Sequence, residues 1–337
     1  MKEQLHLSLS VENLSVGFRQ PSGNPVILQS GIHFSANPGE MVALIGSNGI
    51  GKTTLLRTII GFQDSFEGKV KIDGKNLENI SQKERARLIS YVSTEAIRMS
   101  NMTVFDLVAY GRFPYTGWLG KMDEKDRKMV HEAIENVGLA GFEFQQISKI
   151  SDGERQRAMI ARALAQDTPI IILDEPTAFL DVSNKYGIFH LLQTFAAERG
   201  VTIVLSTHDL NIALREVDKI WIMVPDGNLE GSPEDAVLRG WLDKLFNNEH
   251  IGFDIESGEY FFRKEFREKV KVEGEGPSLI WTLRALNRKG FQIVMHAKPD
   301  FVVRIIPGTG QTEWQVERNG TRSSYHSLYS MIKELKS

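Results

Sequence analysis

The run Gly46-Ser47-Asn48-Gly49-Ile50-Gly51-Lys52-Thr53-Thr54 constrains this chain more than any other stretch, because it has the pattern G-x-x-x-x-G-K-[ST] in a strand-to-helix context. Glu40 to Ile45 is a short apolar run bounded by Pro38-Gly39 and Gly46, which reads as a buried strand. Thr53 to Ile60 carries helical apolar spacing that ends at Gly61. Gly46, Gly49 and Gly51 allow backbone conformations closed to other residues, so that successive N–H groups can converge on a phosphate. The helix N-terminus adds partial positive charge. Lys52 is suited to the outer phosphates, and the Thr53 hydroxyl is a hard oxygen donor of the kind Mg²⁺ prefers.

A second acidic site lies far along the chain. Ile170-Ile171-Ile172-Leu173-Asp174-Glu175-Pro176 is an apolar strand ending on two carboxylates, and a desolvated carboxylate needs a cation or donors. Asp174 is placed for a Mg²⁺ contact opposite Thr53, and Glu175 to hold or deprotonate a water. Val201 to Leu205 is another buried strand, with Ser206-Thr207-His208-Asp209 at its carboxyl end, the edge where ligands bind in open parallel sheets. His208 is therefore expected level with Glu175. Ile150-Ser151-Asp152-Gly153-Glu154-Arg155-Gln156-Arg157 heads a helix over 158–165. It reads either as a well-capped helix start or as an anion site using Ser151 and the Gly153 amide.

Ordered in this way, the residues resemble the nucleotide-binding subunit of an ATP-binding-cassette transporter over roughly residues 5–262. Gly46 to Thr53 resembles the Walker A loop, Ile170 to Glu175 the Walker B strand with its glutamate, and Ile150 to Gln156 the signature motif. Ala178 to Asp181 resembles the D-loop and His208 the switch histidine. Phe18 falls where the family has its adenine-stacking aromatic. The resemblance implies an α/β fold: a P-loop NTPase cassette core with an inserted helical subdomain at about 94–160, an antiparallel β part, and a small C-terminal α+β domain. The expected domains are 1–264 and 265–337. It also implies two ATP molecules with Mg²⁺ held in a head-to-tail homodimer. Gly46, Ser47, Asn48, Gly49, Ile50, Gly51, Lys52, Thr53, Thr54, Asp174, Glu175 and His208 would act within one copy, and Ser151, Gly153 and Asp181 toward the other.

Three departures from the family pattern stand out, and at the first, Ile50 is bulkier than the family's small residue, while only Gly49 and Gly51 need backbone freedom. Thr94-Glu95 stands where the family has a Mg²⁺-sensing glutamine, so an oxygen of Thr94 or Glu95 is expected in that role. Asp152 replaces a signature glycine and is expected to cap its helix.

Ala109-Tyr110-Gly111-Arg112-Phe113-Pro114-Tyr115 is similar to a segment in the ATPases of iron-siderophore, haem and cobalamin importers. The implied function is ATP hydrolysis that powers such an import through a separate integral membrane permease, and indirectly a substrate-binding protein. A permease groove lined by Arg98, Met99, Phe113 and Tyr115 is expected. The alternatives are a soluble nucleotide-dependent regulator and a non-transport cassette protein. A cassette acting on DNA or ribosomes usually has two cassettes, a coiled-coil insertion or basic stripes. None is seen, and a net charge of −3 gives no global attraction to nucleic acid.

Cysteine is absent, which removes disulfide and thiol chemistry. Met1 to His6 has no apolar core of signal-peptide length, and no apolar run approaches the roughly 20 residues of a membrane span. A cytoplasmic protein, peripheral on the inner face of the membrane, is expected.

Among other elements, a half-buried strand is read over 5–14, with two short strands at 27–28 and 32–34. Ser232 opens an amphipathic helix through Leu245. Ile251 to Phe262 matches the family's closing strands. Beyond it, strands are read at 270–272, 291–295, 301–306 and 312–317, with helices over 277–287 and 323–335. Gly274-Glu275-Gly276-Pro277 lacks a lysine and carries an acid, so a packing or dimer-stabilising role is expected of this piece.

Overall fold

The computed structural model describes residues 8–94, 101–117, 120–178, 180–245, 250–255, 258–308 and 312–335. Glu95, Arg98, Met99 and Phe179 lie outside them. In chain order the first unit contains β1 (Leu9–Arg19), β2 (Pro25–Ala36), β3 (Met41–Gly46), α1 (Lys52–Ile59), β4 (Glu67–Ile72), β5 (Lys75–Asn76), α2 (Gln82–Leu88) and β6 (Ile89–Val92). It continues through α3 (Val104–Ala109), α4 (Glu124–Asn136), α5 (Asp152–Ala165), β7 (Ile170–Asp174), α6 (Val182–Arg199), β8 (Thr202–Ser206), α7 (Leu210–Glu216), β9 (Lys219–Val224), β10 (Gly227–Gly231) and α8 (Pro233–Leu238).

Two sheets share one core. A six-stranded sheet runs β10-β9-β3-β8-β7-β6, parallel except for the β10 edge. Strands β3, β7 and β8 are buried along nearly their whole length, which is why they read as continuous apolar runs rather than alternating ones. An antiparallel sheet of order β2-β1-β4-β5 contributes Leu9, Val11, Leu14 and Phe34 to a cluster with Val42, Ile172 and Val204 of the first sheet and Leu55 and Ile59 of α1. The rings of Phe34 and Trp221 stack at 4.8 Å, and the Trp221 indole N–H donates to the Ser35 carbonyl at 3.1 Å. Helices α3, α4 and α5 form the expected helical insert.

Several sequence expectations are corrected. The two short strands at 27–28 and 32–34 are one strand, β2, because Gly31 (φ 64°) and the register shifts around Asn13 (φ 49°) carry the pairing through irregularities instead of ending it. The helix begun at Ser232 stops at Leu238, where Gly240 (φ 66°) turns the chain before a 3₁₀ turn at Leu242–Leu245. Residues 182–199, for which the sequence predicts no element, form α6. Its buried Ile188, Phe189, Leu192, Phe195 and Ala196 keep helical spacing, but exposed Val182 and Tyr186 blur the pattern.

The chain divides into two compact units, Met1–Asn247 with Phe253–Glu259, and Asn248–Gly252 with Tyr260–Ser337. β11 (Ile251–Asp254) and β12 (Glu259–Phe262) pair as a two-stranded sheet. The second unit then has β13 (Glu268–Glu273), α9 (Gly276–Arg288), β14 (Phe291–Ile293), β15 (Phe301–Ile306), β16 (Glu313–Arg318), β17 (Thr321–Tyr325) and α10 (Leu328–Glu334), with sheet order β14-β13-β15-β16-β17. The expected helix over 323–335 is thus split into the end of β17 and α10. Val270, Phe301, Val303, Val316, Leu286 and Met331 form a core of its own, and the Trp314 indole donates to Thr282 Oγ1 at 2.8 Å.

Candidate functional site

The parallel sheet brings the phosphate-loop residues and both acidic segments to one edge. Strand β3 ends at Gly46, and its neighbour β8 pairs Leu44 with Ser206, while β7 pairs Asp174 with the same Ser206. A Cβ on Gly46 would lie 2.9 Å from the Met223 carbonyl oxygen, so this position admits no side chain without backbone movement. Gly51 precedes α1 with φ 111°, a conformation reserved for glycine.

Lys52, only 7% exposed, folds back so that Nζ donates to the carbonyls of Gly46 (2.9 Å) and Ser47 (3.3 Å). Burial pushes its ammonium below the ordinary value of 10.5, and the nearby Glu175 and Asp174 pull it partly back. These carbonyl bonds are replaceable by a stronger anionic acceptor.

Asp174 is 1% exposed. Its Oδ1 accepts from Ser206 Oγ at 2.6 Å, while Oδ2 is buried with no hydrogen-bond partner. A buried carboxylate oxygen without a donor fits a cation. Among the described residues no three His, Cys, Asp or Glu side chains gather into a metal cluster. The Asp174 carboxylate and the Thr53 hydroxyl are hard oxygen donors of the kind that Mg²⁺ prefers.

Glu175 sits at a strained corner with φ 50°. Among the described residues the other non-glycine positions with positive φ are Asn13, Asp73, Asn101, Asp167 and Asn319, all of types that tolerate this region. The Glu175 N–H donates to Ser206 Oγ at 2.9 Å, and its Oε1 lies 2.8 Å from His208 Nε2. Both side chains are accessible to a water, so the pair can accept a proton at Oε1 and steady the carboxylate through the imidazole. Below this corner Thr177 Oγ1 donates to Asp209 Oδ2 at 3.1 Å, and Lys185 pairs with Asp209 Oδ1 at 2.9 Å.

Ser206 is the site residue that the sequence reading passed over. Its hydroxyl bridges Asp174 and Glu175, and its position at the end of a buried strand is the one signal the sequence offers.

Ser151, Gly153 and Asp181 form a separate group. Ser151, not Asp152, is the N-cap of α5, in a capping box with Glu154. Bonds from the Ser151 hydroxyl and backbone hold the Glu154 carboxyl below the usual carboxylate range. Asp152 is the first helical residue and pairs with Arg155 at 2.6 Å. A Cβ on Gly153 would lie 3.1 Å from Asn184 Nδ2, and Asp181 caps α6 by accepting from the Asn184 N–H at 2.8 Å. Phe18, near the end of β1, is 48% exposed, and Thr94 is exposed. In the expected permease groove, Tyr115 instead turns inward, with the Arg112 guanidinium 4.0 Å from its ring centroid, while Phe113 stays 70% exposed.

Residues 29–178 match the ABC transporter family, and residues 267–336 match the iron ABC transporter C-terminal domain. An iron(3+)-hydroxamate import ATP-binding protein, FhuC of Bacillus subtilis, is 38% identical over 62% of this chain and 76% of its own. The ferric enterobactin transport ATP-binding protein FepC of Escherichia coli is 35% identical over 62% and 77%. A solved metal-chelate type ABC transporter in an inward-facing conformation superposes with TM-score 0.62 at 26% identity, over 76% of this chain and 95% of that one. An uncharacterised ABC transporter ATP-binding protein of Methanocaldococcus jannaschii is 39% identical over 85% of this chain and 98% of its own length. At that identity and coverage, the chain belongs to the ATP-binding proteins of ABC transporters.

Proposed function

We propose that this chain is the ATP-hydrolysing subunit that powers import of an iron chelate (siderophore), haem or cobalamin through a separate membrane permease, acting as a head-to-tail pair of copies on the inner face of the membrane. The observation that carries the reading is the unpaired, buried Asp174 Oδ2 beside the Glu175–His208 pair at the mouth of the Gly46–Thr54 loop. Relatives named for iron(3+)-hydroxamate and ferric enterobactin, and the C-terminal match at 267–336, support the cargo class. Among the described residues no helix is long and apolar enough to cross a membrane.

In this reading the amides of Ser47 to Thr53 cradle the phosphates, and Lys52 exchanges its two carbonyl acceptors for the outer phosphate oxygens. Thr53 and Asp174, with Thr94, would hold Mg²⁺, which supplies neutralising charge for the phosphates. Glu175 takes a proton from the water whose oxygen bonds to the terminal phosphorus as the bond to the bridging oxygen breaks. His208 keeps the Glu175 carboxylate aimed at that water. Phe18 stacks on adenine, and Ser151, Gly153 and Asp181 serve the nucleotide of the neighbouring copy. A groove of about 760 Å³ lined by Met102, Phe105, Tyr110 and Phe113 offers the permease an aromatic seat.

Magnesium-dependent ATP turnover by the purified chain tests the reading. Retention of ATP and accumulation of dimers by Glu175→Gln is the expected companion result. A chain that neither binds nor turns over ATP overturns it.

A further inference from the structure

The two turns assigned above to the neighbouring nucleotide, Ser151–Gly153 and Asp181, sit at the starts of α5 and α6. One arginine links these helices. Arg157 lies one turn after Gly153 on α5, and its Nη1 donates to the Val137 carbonyl at the C-terminal end of α4, at 3.1 Å. That carbonyl stands at the negative end of a helix dipole, a favourable place for a cation. The other guanidinium nitrogen, Nη2, lies where Gly187 of α6 is bare: a Cβ at 187 would come within 2.9 Å of it. One turn earlier on α6, Asn184 meets Gly153 in the same way, with Nδ2 3.1 Å from a Cβ built on Gly153. Among the described residues Arg157 makes no ion pair, so its charge is spent on a carbonyl and on a glycine surface, a choice that fits holding geometry better than balancing charge. The guanidinium crosses a cleft of about 370 Å³ lined also by His190 and Phe195.

We infer that Arg157, seated on Gly187, is a positioning residue that locks α5 to α6 and to the end of α4. The Ser151–Gly153 turn and the Asp181 turn are thereby presented to a second copy as one rigid edge. This inference rests on the two-copy reading of the site. The glycine at 187 has no turn to make, since it lies in the interior of α6, where alanine is the better helix former. Its lack of a side chain leaves the room that the guanidinium fills.

The test uses the full chain. Gly187→Ala is expected to leave the melting temperature unchanged or raised, because the helix gains a better residue while only the flexible end of Arg157 moves. Its kcat is nevertheless expected to fall by about 10- to 100-fold, as for a misplaced but intact site, with KM for ATP unchanged. Arg157→Ala should show the same kcat loss at unchanged KM. The double variant should be no slower than either single one, because alanine at 187 has nothing left to displace. Multiplying losses, or wild-type kcat in both single variants, would overturn the lock while leaving the ATPase reading intact. A wild-type chain without ATP turnover would overturn both.

Discussion

Ser206 Oγ stands between Asp174 and Glu175, donating to the Asp174 carboxylate at 2.6 Å and accepting from the Glu175 N–H at 2.9 Å. One hydroxyl on β8 thus fixes both acids at the end of β7. Ser206→Ala leaves an amide without its acceptor and a fully buried carboxylate without its donor. A loss of about 1–3 kcal/mol in unfolding free energy is expected. Urea unfolding measures it, and added ATP with Mg²⁺ should recover part of the loss, since the ligand binds only the folded state.

Replacing Glu175 by glutamine keeps the size of the side chain but removes its capacity to take a proton. Turnover should fall by about 10²- to 10⁴-fold. ATP should still bind, which single-turnover and filter-binding measurements separate. His208→Ala is expected to slow turnover, because the 2.8 Å contact that aims the Glu175 carboxylate is then lost.

Lys52 gives a pH dependence whose sign follows from burial. Its folded value is pushed below 10.5, so the unfolded chain binds the proton more tightly. The nucleotide-free protein should therefore gain stability as pH rises through the window between the lowered value and 10.5. That gain is complete above the unfolded value and lost as pH falls through the folded one. Lys52→Met should flatten this slope in unfolding curves taken across the alkaline range.

The Ser151 hydroxyl has two assignments that one substitution separates. As the α5 cap it contributes about 1 kcal/mol, so Ser151→Ala should lower stability modestly. Ser151→Asp keeps a good cap while placing a negative charge where the neighbouring copy's phosphates are proposed to lie. The aspartate variant is expected to melt near wild type yet lose turnover, measured as phosphate release.

Trp314 anchors the second unit through its ring and its 2.8 Å bond to Thr282. Trp314→Ala should cost that unit about 3–5 kcal/mol. Calorimetry should then show a separate, lower transition while ATP affinity stays at the wild-type value.

The phosphate loop was legible in the sequence because a strand, three glycines, Lys52-Thr53 and a helix follow one another without interruption. Asp174 and Glu175 were legible because an apolar run ending on paired acids is physically awkward. Ser206 was not, since a serine at a strand end has many ordinary explanations and its partner lies 32 positions away. The continuity of β2 was hidden by a bulge, and β17 by polar residues that give its strand no alternating pattern. The meeting of Arg157 with Gly187 depends on how α5 crosses α6, which local periodicity does not encode.

The backbone at Glu175 has a consequence of its own. A glutamate is held there in a left-handed turn that glycine or asparagine would occupy with less strain. Either replacement should make the bare protein sturdier while silencing it as an engine, so durability and power pull this corner in opposite directions. The proposed proton acceptor is aimed by a bend that the rest of the fold must keep forcing into place.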